Sequence, residues 1–448
     1  MTAEAAVNSR AGIPRSQWRV IILSSLGGAL EFYDFVVYST FAQYIGAAFF
    51  PASNPLGSLM RSFAVFAAGY LARPLGGIVF SHFGDRYGRR RVFIIAMLVM
   101  SSATVGMGLL PPYAKVGLWA TFGIVALRLV QGFCLGGELP GAITYVVETA
   151  PRRAGFASGF IFFCVNTGVA LASGLGIAVQ RLLTPDQVER FGWRIGFLFG
   201  GVCGLISFYL RLSLSETEEF KRMRHAAARR PLLELLRTLP VPVFVAIGSM
   251  IATAGFNGLF FMMPAFLPQV MHYPALDSVE AQFVGLVVLS FGLLTTAWLG
   301  DRIPRRWILG SGGLLLATLA FPFFNALEAH STGLIALFIF AGLAASFVNG
   351  PMCGVVGDLF PTRIRFSGVA VSFNLAFTLF SGPAPVVSTA LVKATGSPAS
   401  PAYVMLVCAG ITFLASLFVK RYEGRILEPP AASAEPAAVV SAPSFPAH

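Results

Sequence analysis

The chain has 448 residues, 56% of them hydrophobic and only 12% charged, with a mean hydropathy of +0.74. A water-soluble protein of this length needs far more charge to keep its surface wet, so the composition excludes that class. The formal charge of +12 does not point to nucleic acid, because the basic residues sit in short loops between apolar runs, the pattern that membrane insertion imposes.

In chain order, residues 1–18 read as a polar cytoplasmic segment without the short apolar core and cleavage site of a signal peptide. A membrane-spanning helix needs roughly 20 apolar residues. Six such runs follow within 19–211, at 19–49, 58–81, 91–110, 116–147, 155–180 and 193–211. A polar, basic stretch, 212–239, reads as a cytoplasmic linker. Six more runs fall within 240–425, at 240–270, 280–300, 307–327, 332–357, 364–392 and 400–420. The Pro/Ala/Ser-rich tail, 426–448, is expected to be disordered and cytoplasmic. The expected fold is therefore an all-α integral membrane protein of twelve transmembrane helices in two six-helix bundles. With the N-terminus inside, 24 of the 32 Lys/Arg fall on the cytoplasmic side, six on the other and two, Arg73 and Arg128, within helices. That bias puts both termini in the cytoplasm.

The halves repeat. Ser81-His82-Phe83-Gly84-Asp85-Arg86-Tyr87-Gly88-Arg89-Arg90 recurs as Ala297-Trp298-Leu299-Gly300-Asp301-Arg302-Ile303-Pro304-Arg305-Arg306, with the aspartates 216 positions apart. Glu148-x-x-Pro151-x-Arg153 recurs as Asp358-x-x-Pro361-x-Arg363. An internal repeat made of membrane helices is the mark of a secondary transporter whose site lies between its halves. An aspartate such as Asp85 can accept hydrogen bonds from a helix N-terminus, and Gly88 permits a tight turn. Arg86, Arg89 and Arg90 can bridge to acids such as Glu148. Together with Arg153, Asp301, Arg302 and Asp358 these residues form the expected cytoplasmic gate.

Five charges remain inside the helices: Glu31 and Asp34 in the first, Arg73 in the second, Arg128 and Glu138 in the fourth. Each costs several kcal/mol at bilayer depth, roughly 2.5–3.5 on insertion scales. Glu31 and Asp34 are i,i+3 on one face, which suits a group that takes up and releases a proton. Arginine keeps its proton and is a fixed partner for a carboxylate. The alternative is that these charges only pair with one another and lock helices together. The second half offers amides instead, Asn257, Asn349 and Asn374. Asn166 is the polar exception in a helix of small residues. The glycine and proline clusters at 255–268 and 381–385 are either gates or static kinks. The five cysteines lie in apolar runs and read as small buried hydrophobes, not metal ligands.

These strings resemble the metabolite:proton symporter branch of the major facilitator superfamily, which includes α-ketoglutarate, citrate, shikimate and proline/betaine transporters. The likeness spans roughly 19–425. It is carried by Leu30-Glu31-Phe32-Tyr33-Asp34-Phe35, Arg73-Pro74-Leu75-Gly76-Gly77, Arg128-x-x-Gln131-Gly132-Phe133, Gly136-Gly137-Glu138, Gly192-Trp193-Arg194 and Leu214-x-Glu216-Thr217. The resemblance implies substrate carboxylate binding at Arg73, a second basic position at Arg194, and coupling roles for Glu31, Asp34 and Glu138. Tyr33, Arg128, Asn166, Asn257 and Asn374 complete the expected substrate site. Pro304 departs from the family's glycine and puts the second loop's turn in doubt. Phe260 and Phe261 stand where some organic-acid members carry tyrosine.

The expected activity is proton-coupled import of a small organic anion, a di- or tricarboxylate such as citrate or α-ketoglutarate, by a monomer in the inner membrane. No cofactor, metal or nucleic acid is expected, and no nucleophile triad or phosphate loop suggests an enzyme. A betaine or proline symporter and a non-transporting membrane sensor are the alternatives. The tail lacks the heptads that osmolyte-type members carry.

Overall fold

The computed structural model describes residues 15–420 apart from 53, 88, 150–153, 213–234, 236 and 362–363. The segment 1–14, the tail and most of the linker therefore lie outside the described residues. The described chain is helical from end to end, in twelve rods. We number them α1 (Arg15–Thr40, continued after Phe41 by Ala42–Phe49), α2 (Pro55–Tyr87), α3 (Arg89–Leu109) and α4 (Leu118–Leu135, continued by Glu138–Thr149). Then come α5 (Ala154–Leu182), α6 (Trp193–Leu212), α7 (Pro240–Val270) and α8 (Ala275–Gly300). The last four are α9 (Arg305–Glu328), α10 (Leu334–Asp358), α11 (Arg365–Ala376, a π turn Phe377–Ser381, then Ala384–Thr395) and α12 (Pro401–Val419). Among the described residues ten helices are long and apolar enough to cross a membrane, and Ile94–Leu109 in α3 is a shorter apolar stretch. With 33 residues, α2 is about 50 Å long at 1.5 Å per residue, so it extends past the hydrocarbon or tilts.

Glycine decides how close the helices come. A Cβ on Gly132 would overlap the carbonyl of Gly69, and one on Gly76 the carbonyl of Phe133, so α2 and α4 touch backbone to backbone. Gly168 seats α5 against the Ala29 carbonyl of α1 in the same way. Between apolar helices in lipid, dispersion over such close contact replaces the hydrophobic drive of water.

The two proline clusters behave differently. The spacing at 255–268 suggests a break, yet α7 runs unbroken through Pro264 and Pro268. Proline at 264 leaves the Phe260 carbonyl without its helical donor, and Gln282 Nε2 of α8 supplies one at 2.8 Å, so the helix continues. In α2, Pro74 frees the Tyr70 carbonyl, which accepts from Thr378 Oγ1 of α11 at 2.9 Å. Around 381–385 the chain does break: the π turn ends at Ser381 and helix resumes at Ala384. The spans expected to be continuous at 19–49 and 116–147 are each divided, at Phe41 and at Gly136–Gly137.

Candidate functional site

Arg73 lies where α2, α4 and α11 meet. It is 0% exposed, and Nε, NH1 and NH2 have no hydrogen-bond partner. The rings of Tyr70, Phe373 and Phe377 surround its guanidinium carbon at 5.3, 5.5 and 5.9 Å. Cation–π contact stabilises the charge by about 0.5–2 kcal/mol, well short of what removing a cation from water costs. A buried guanidinium with all three nitrogens free is therefore set up to receive an anion, whose two oxygens match its planar fork.

Both bundles build this place. Asn374 Nδ2 donates to the Gly136 carbonyl at 3.0 Å, crossing from α11 to α4, while its Oδ1 has no partner. Ser381 Oγ donates to Tyr70 Oη at 3.2 Å, beside the Thr378 bond. Gly77 lies against both the Gly136 carbonyl and Asn374 Nδ2. On the α5 side, Asn166 is buried with Nδ2 unpartnered. Asn257 is half-buried in α7. Asn349 donates back to the Ala345 carbonyl within its own helix.

A second buried arginine sits deeper among the first four helices. Arg128 NH1 donates to the Phe35 carbonyl at 2.8 Å and to Gln131 Oε1 at 2.9 Å, leaving Nε and NH2 unpartnered. Phe35, Tyr38 and Phe66 box the guanidinium at 3.9, 4.8 and 4.8 Å. Gln131 Nε2 donates to the Asp34 carbonyl at 3.2 Å and to Thr104 Oγ1 at 2.7 Å. Gln131 thus ties Arg128 to the backbone of Asp34. Asp34 is 2% exposed, and its Oδ1 is unpartnered among the described residues and lies against Gly200 of α6. A Cβ at Gly200 would stand 2.5 Å from that oxygen, so the glycine is what admits the carboxylate. Glu31 is also buried.

Two expected residues point elsewhere. Tyr33 Oη donates to the Gly196 carbonyl at 2.7 Å and joins α1 to α6. Arg194 NH1 donates to the Gly108 and Leu110 carbonyls, both at 2.8 Å, and closes the end of α3. The side chains of Asp85, Arg86, Arg89, Arg90, Glu138 and Glu148, and residues Gly88 and Arg153, lie outside the described residues.

The two faces of the molecule are bridged between bundles. On one face Asp301, after α8, accepts from the Gly155 and Phe156 amides at 2.9 Å each and so caps α5. Arg305 donates to the same carboxylate at 2.9 Å and pairs with Asp358. Arg302 instead stacks on Trp298 at 3.6 Å, and Pro304 serves as the cap that starts α9. On the opposite face Gln269 donates to Gln43 at 3.3 Å, and Arg181 pairs with Glu280 at 2.6 Å. Contacts between the bundles thus occur on both faces, and Arg73 is fully buried.

Sequence reasoning missed Gln131, Tyr70, Phe373, Phe377, Arg305 and Gln282. Gln131 and Arg305 stand inside the motifs quoted above. The aromatic residues carry no signal of their own among 42 phenylalanines, because their role follows only from where α2 and α11 meet.

Comparison with known proteins agrees with this architecture. The citrate-proton symporter of Klebsiella pneumoniae is 34% identical over 408 residues, covering 90% of this chain and 91% of that protein. The proline/betaine transporter of Salmonella typhimurium is 32% identical over 438 residues, covering 93% and 86%. A solved proton:xylose symporter bound to 6-bromo-6-deoxy-D-glucose superposes with a TM-score of 0.75 over 90% of this chain and 95% of that one, at 17% identity, a likeness of fold alone. The model of the Major Facilitator Superfamily matches residues 25–329 and 281–445, and the chain belongs to that superfamily.

Proposed function

We propose that this protein is a proton-coupled symporter that imports a small organic anion, a di- or tricarboxylate such as citrate or α-ketoglutarate, by alternating access. The observation that carries the reading is Arg73: a permanent cation, buried between the bundles, with three free nitrogens. The fork suits a carboxylate lying edge-on to it, and the unpartnered Asn374 Oδ1 and Asn166 Nδ2 are our candidates for further oxygens or hydroxyls. The proton has an energetic purpose. An anion entering a negative-inside cell works against about 2.3 kcal/mol per charge per 100 mV, and accompanying protons cancel that charge. Asp34 is our choice of carrier. It is a buried carboxylate with a free oxygen, and its backbone carbonyl is tied through Gln131 to Arg128, which gives a shift of α1 at this point a route to the arginine.

We place the Asp301 face in the cytoplasm, on the strength of the Lys/Arg bias, and the Gln269 face outside. Opening inward then requires Asp301 to leave α5, and opening outward requires α1 and α7 to part. A zwitterionic osmolyte remains the second reading. It is favoured by the proline/betaine relatives and by the three rings around Arg73, which suit an ammonium beside a bound carboxylate.

Uptake by purified protein in proteoliposomes under an imposed pH gradient decides between them. Accumulation of labelled citrate or α-ketoglutarate, and not of betaine or proline, is expected, with none in Arg73→Ala. Betaine uptake alone would establish the second reading. Binding without uptake of any of these would indicate a sensor.

A further inference from the structure

We infer that Gln282 is a positioning residue for transport: it latches the outer half of α7 to α5 and holds the Gln269 face shut. The inference rests on the alternating-access reading above. It starts from a single missing proton. Pro264 has no N–H, so the Phe260 carbonyl has no helical partner. Most carbonyls in the interior of α7 keep an intrahelical bond however the helix moves as a body. That of Phe260 depends on another helix, and Gln282 Nε2 is its donor at 2.8 Å.

The same side chain faces the other bundle. Gln282 Oε1 accepts from Ser173 Oγ of α5 at 2.8 Å. Gln282 is 1% exposed, Ser173 0% and Phe260 3%. One amide therefore links a helix of the first bundle, α5, to a proline-weakened point of α7 in the second. Everything around it is apolar: the Phe260 ring stacks on Phe256 at 4.9 Å and meets Phe338 at 5.2 Å. Gly285, one turn along α8, has no side chain to keep the Phe260 ring away, since a Cβ there would stand 2.8 Å from its tip.

The energetics make this chain depend on conformation. When the face is shut, no water is needed, because the amide satisfies both neighbours. If the face opens, α7 and α8 move together away from α5, the Ser173–Gln282 bond breaks, and the groups uncovered, the Phe260 carbonyl among them, are hydrated by the cavity that opening creates. Gln282 therefore stabilises the shut form selectively. Without it the Phe260 carbonyl is buried and unpaired only while the face is shut, and a buried unpaired acceptor is disfavoured by roughly ten-fold or more in population.

The test is labelling of a Gln269→Cys reporter by a membrane-impermeant maleimide applied from the outer side, read at position 269 by peptide mass spectrometry. The five native cysteines are buried. Gln282→Met, which keeps the side-chain length and removes the amide, should raise the labelling rate about five- to ten-fold. Pro264→Ala restores the helical N–H, so in that background Gln282→Met loses only the tie to Ser173 and should raise the rate clearly less than it does beside the proline. An unchanged rate in the proline background overturns the inference. So does an equal rise in both backgrounds, which would mean that Gln282 merely packs. Should Gln282→Met fail to insert, Ser173→Ala severs only the tie to α5 and must raise labelling as well; no rise there is equally fatal. Labelling needs no substrate, so an error in the substrate assignment leaves this result intact.

Discussion

At the scale of single residues, the site is organised by what its buried polar atoms lack. Arg73 and Arg128 are both enclosed by three aromatic rings, yet they differ: Arg128 NH1 has two acceptors and Arg73 has none. Arg128 NH1 thus ties α4 to α1 while its Nε and NH2 stay unpartnered, and Arg73 has all three nitrogens without a partner among the described residues. Arg73→Lys should lower uptake about 100-fold, the scale of a lost bidentate charge-assisted pair, while the protein still inserts and melts normally. Uptake within three-fold of wild type would remove the bidentate argument. Asp34→Asn separates coupling from binding. It should abolish accumulation driven by a pH gradient yet preserve counterflow, in which labelled and unlabelled substrate exchange without net proton movement. If the variant still concentrates substrate, the proton travels on Glu31, Glu138 or the substrate itself.

At the scale of elements, the helices follow from apolar length and their separations follow from glycine. Gly76 is the clearest case, because its Cα abuts the Phe133 carbonyl across the α2–α4 contact. Gly76→Ala should force the two helices apart and destabilise the bundle by about 1–3 kcal/mol, seen as a lower melting temperature in detergent, and uptake should fall with it because Arg73 lies one turn away. The twelve-helix fold, the duplicated loop motifs and the buried charges Glu31, Asp34, Arg73 and Arg128 were legible in the sequence because run length, spacing and the rarity of charge each leave a one-dimensional mark. The breaks were less so. Gly255-Phe256-Asn257-Gly258 reads like an interruption, but α7 crosses it intact because the carbonyl released by Pro264 finds Gln282 on another helix. Phe41, where α1 divides, has no proline to announce it, whereas Pro140, four residues after Gly136, removes the N–H that would carry α4 across Gly136–Gly137. Tyr33 and Arg194 look like site residues in the sequence, and in this structure they donate to carbonyls of neighbouring helices. Which way a side chain turns about its helix depends on partners far away in the chain.

At the scale of the whole molecule, alternating access as proposed would have the two sets of bridges between the bundles act on one equilibrium in opposite directions. On the Asp301 face the bridge is a carboxylate receiving two amides of the α5 N-terminus and an arginine, all partly buried. On the Gln269 face the ion pair Arg181–Glu280 is more exposed, with side-chain accessibilities of 62% and 25%, so screening leaves it at about 0–1 kcal/mol. The buried Ser173–Gln282–Phe260 chain is the stronger tie there. Glu280→Gln should therefore change outer-face labelling less than two-fold. Asp301→Asn removes the charge that the helix end and Arg305 both favour, worth about 1–2 kcal/mol, and should shift the population several-fold towards opening at the Asp301 face. A cysteine reporter on that face, labelled in inside-out vesicles, would measure it. The two variants must then oppose each other. Gln282→Met favours the form open at the Gln269 face, Asp301→Asn the form open at the other, and both weaken the form bridged at both faces. The double variant should label faster than wild type at both faces, with a ratio between faces near that of wild type, because each change subtracts a similar free energy from one side of the balance. A double variant that labels at one face only would mean that the bridges do not share an equilibrium, and that the bundles do not rock as rigid bodies about their common site.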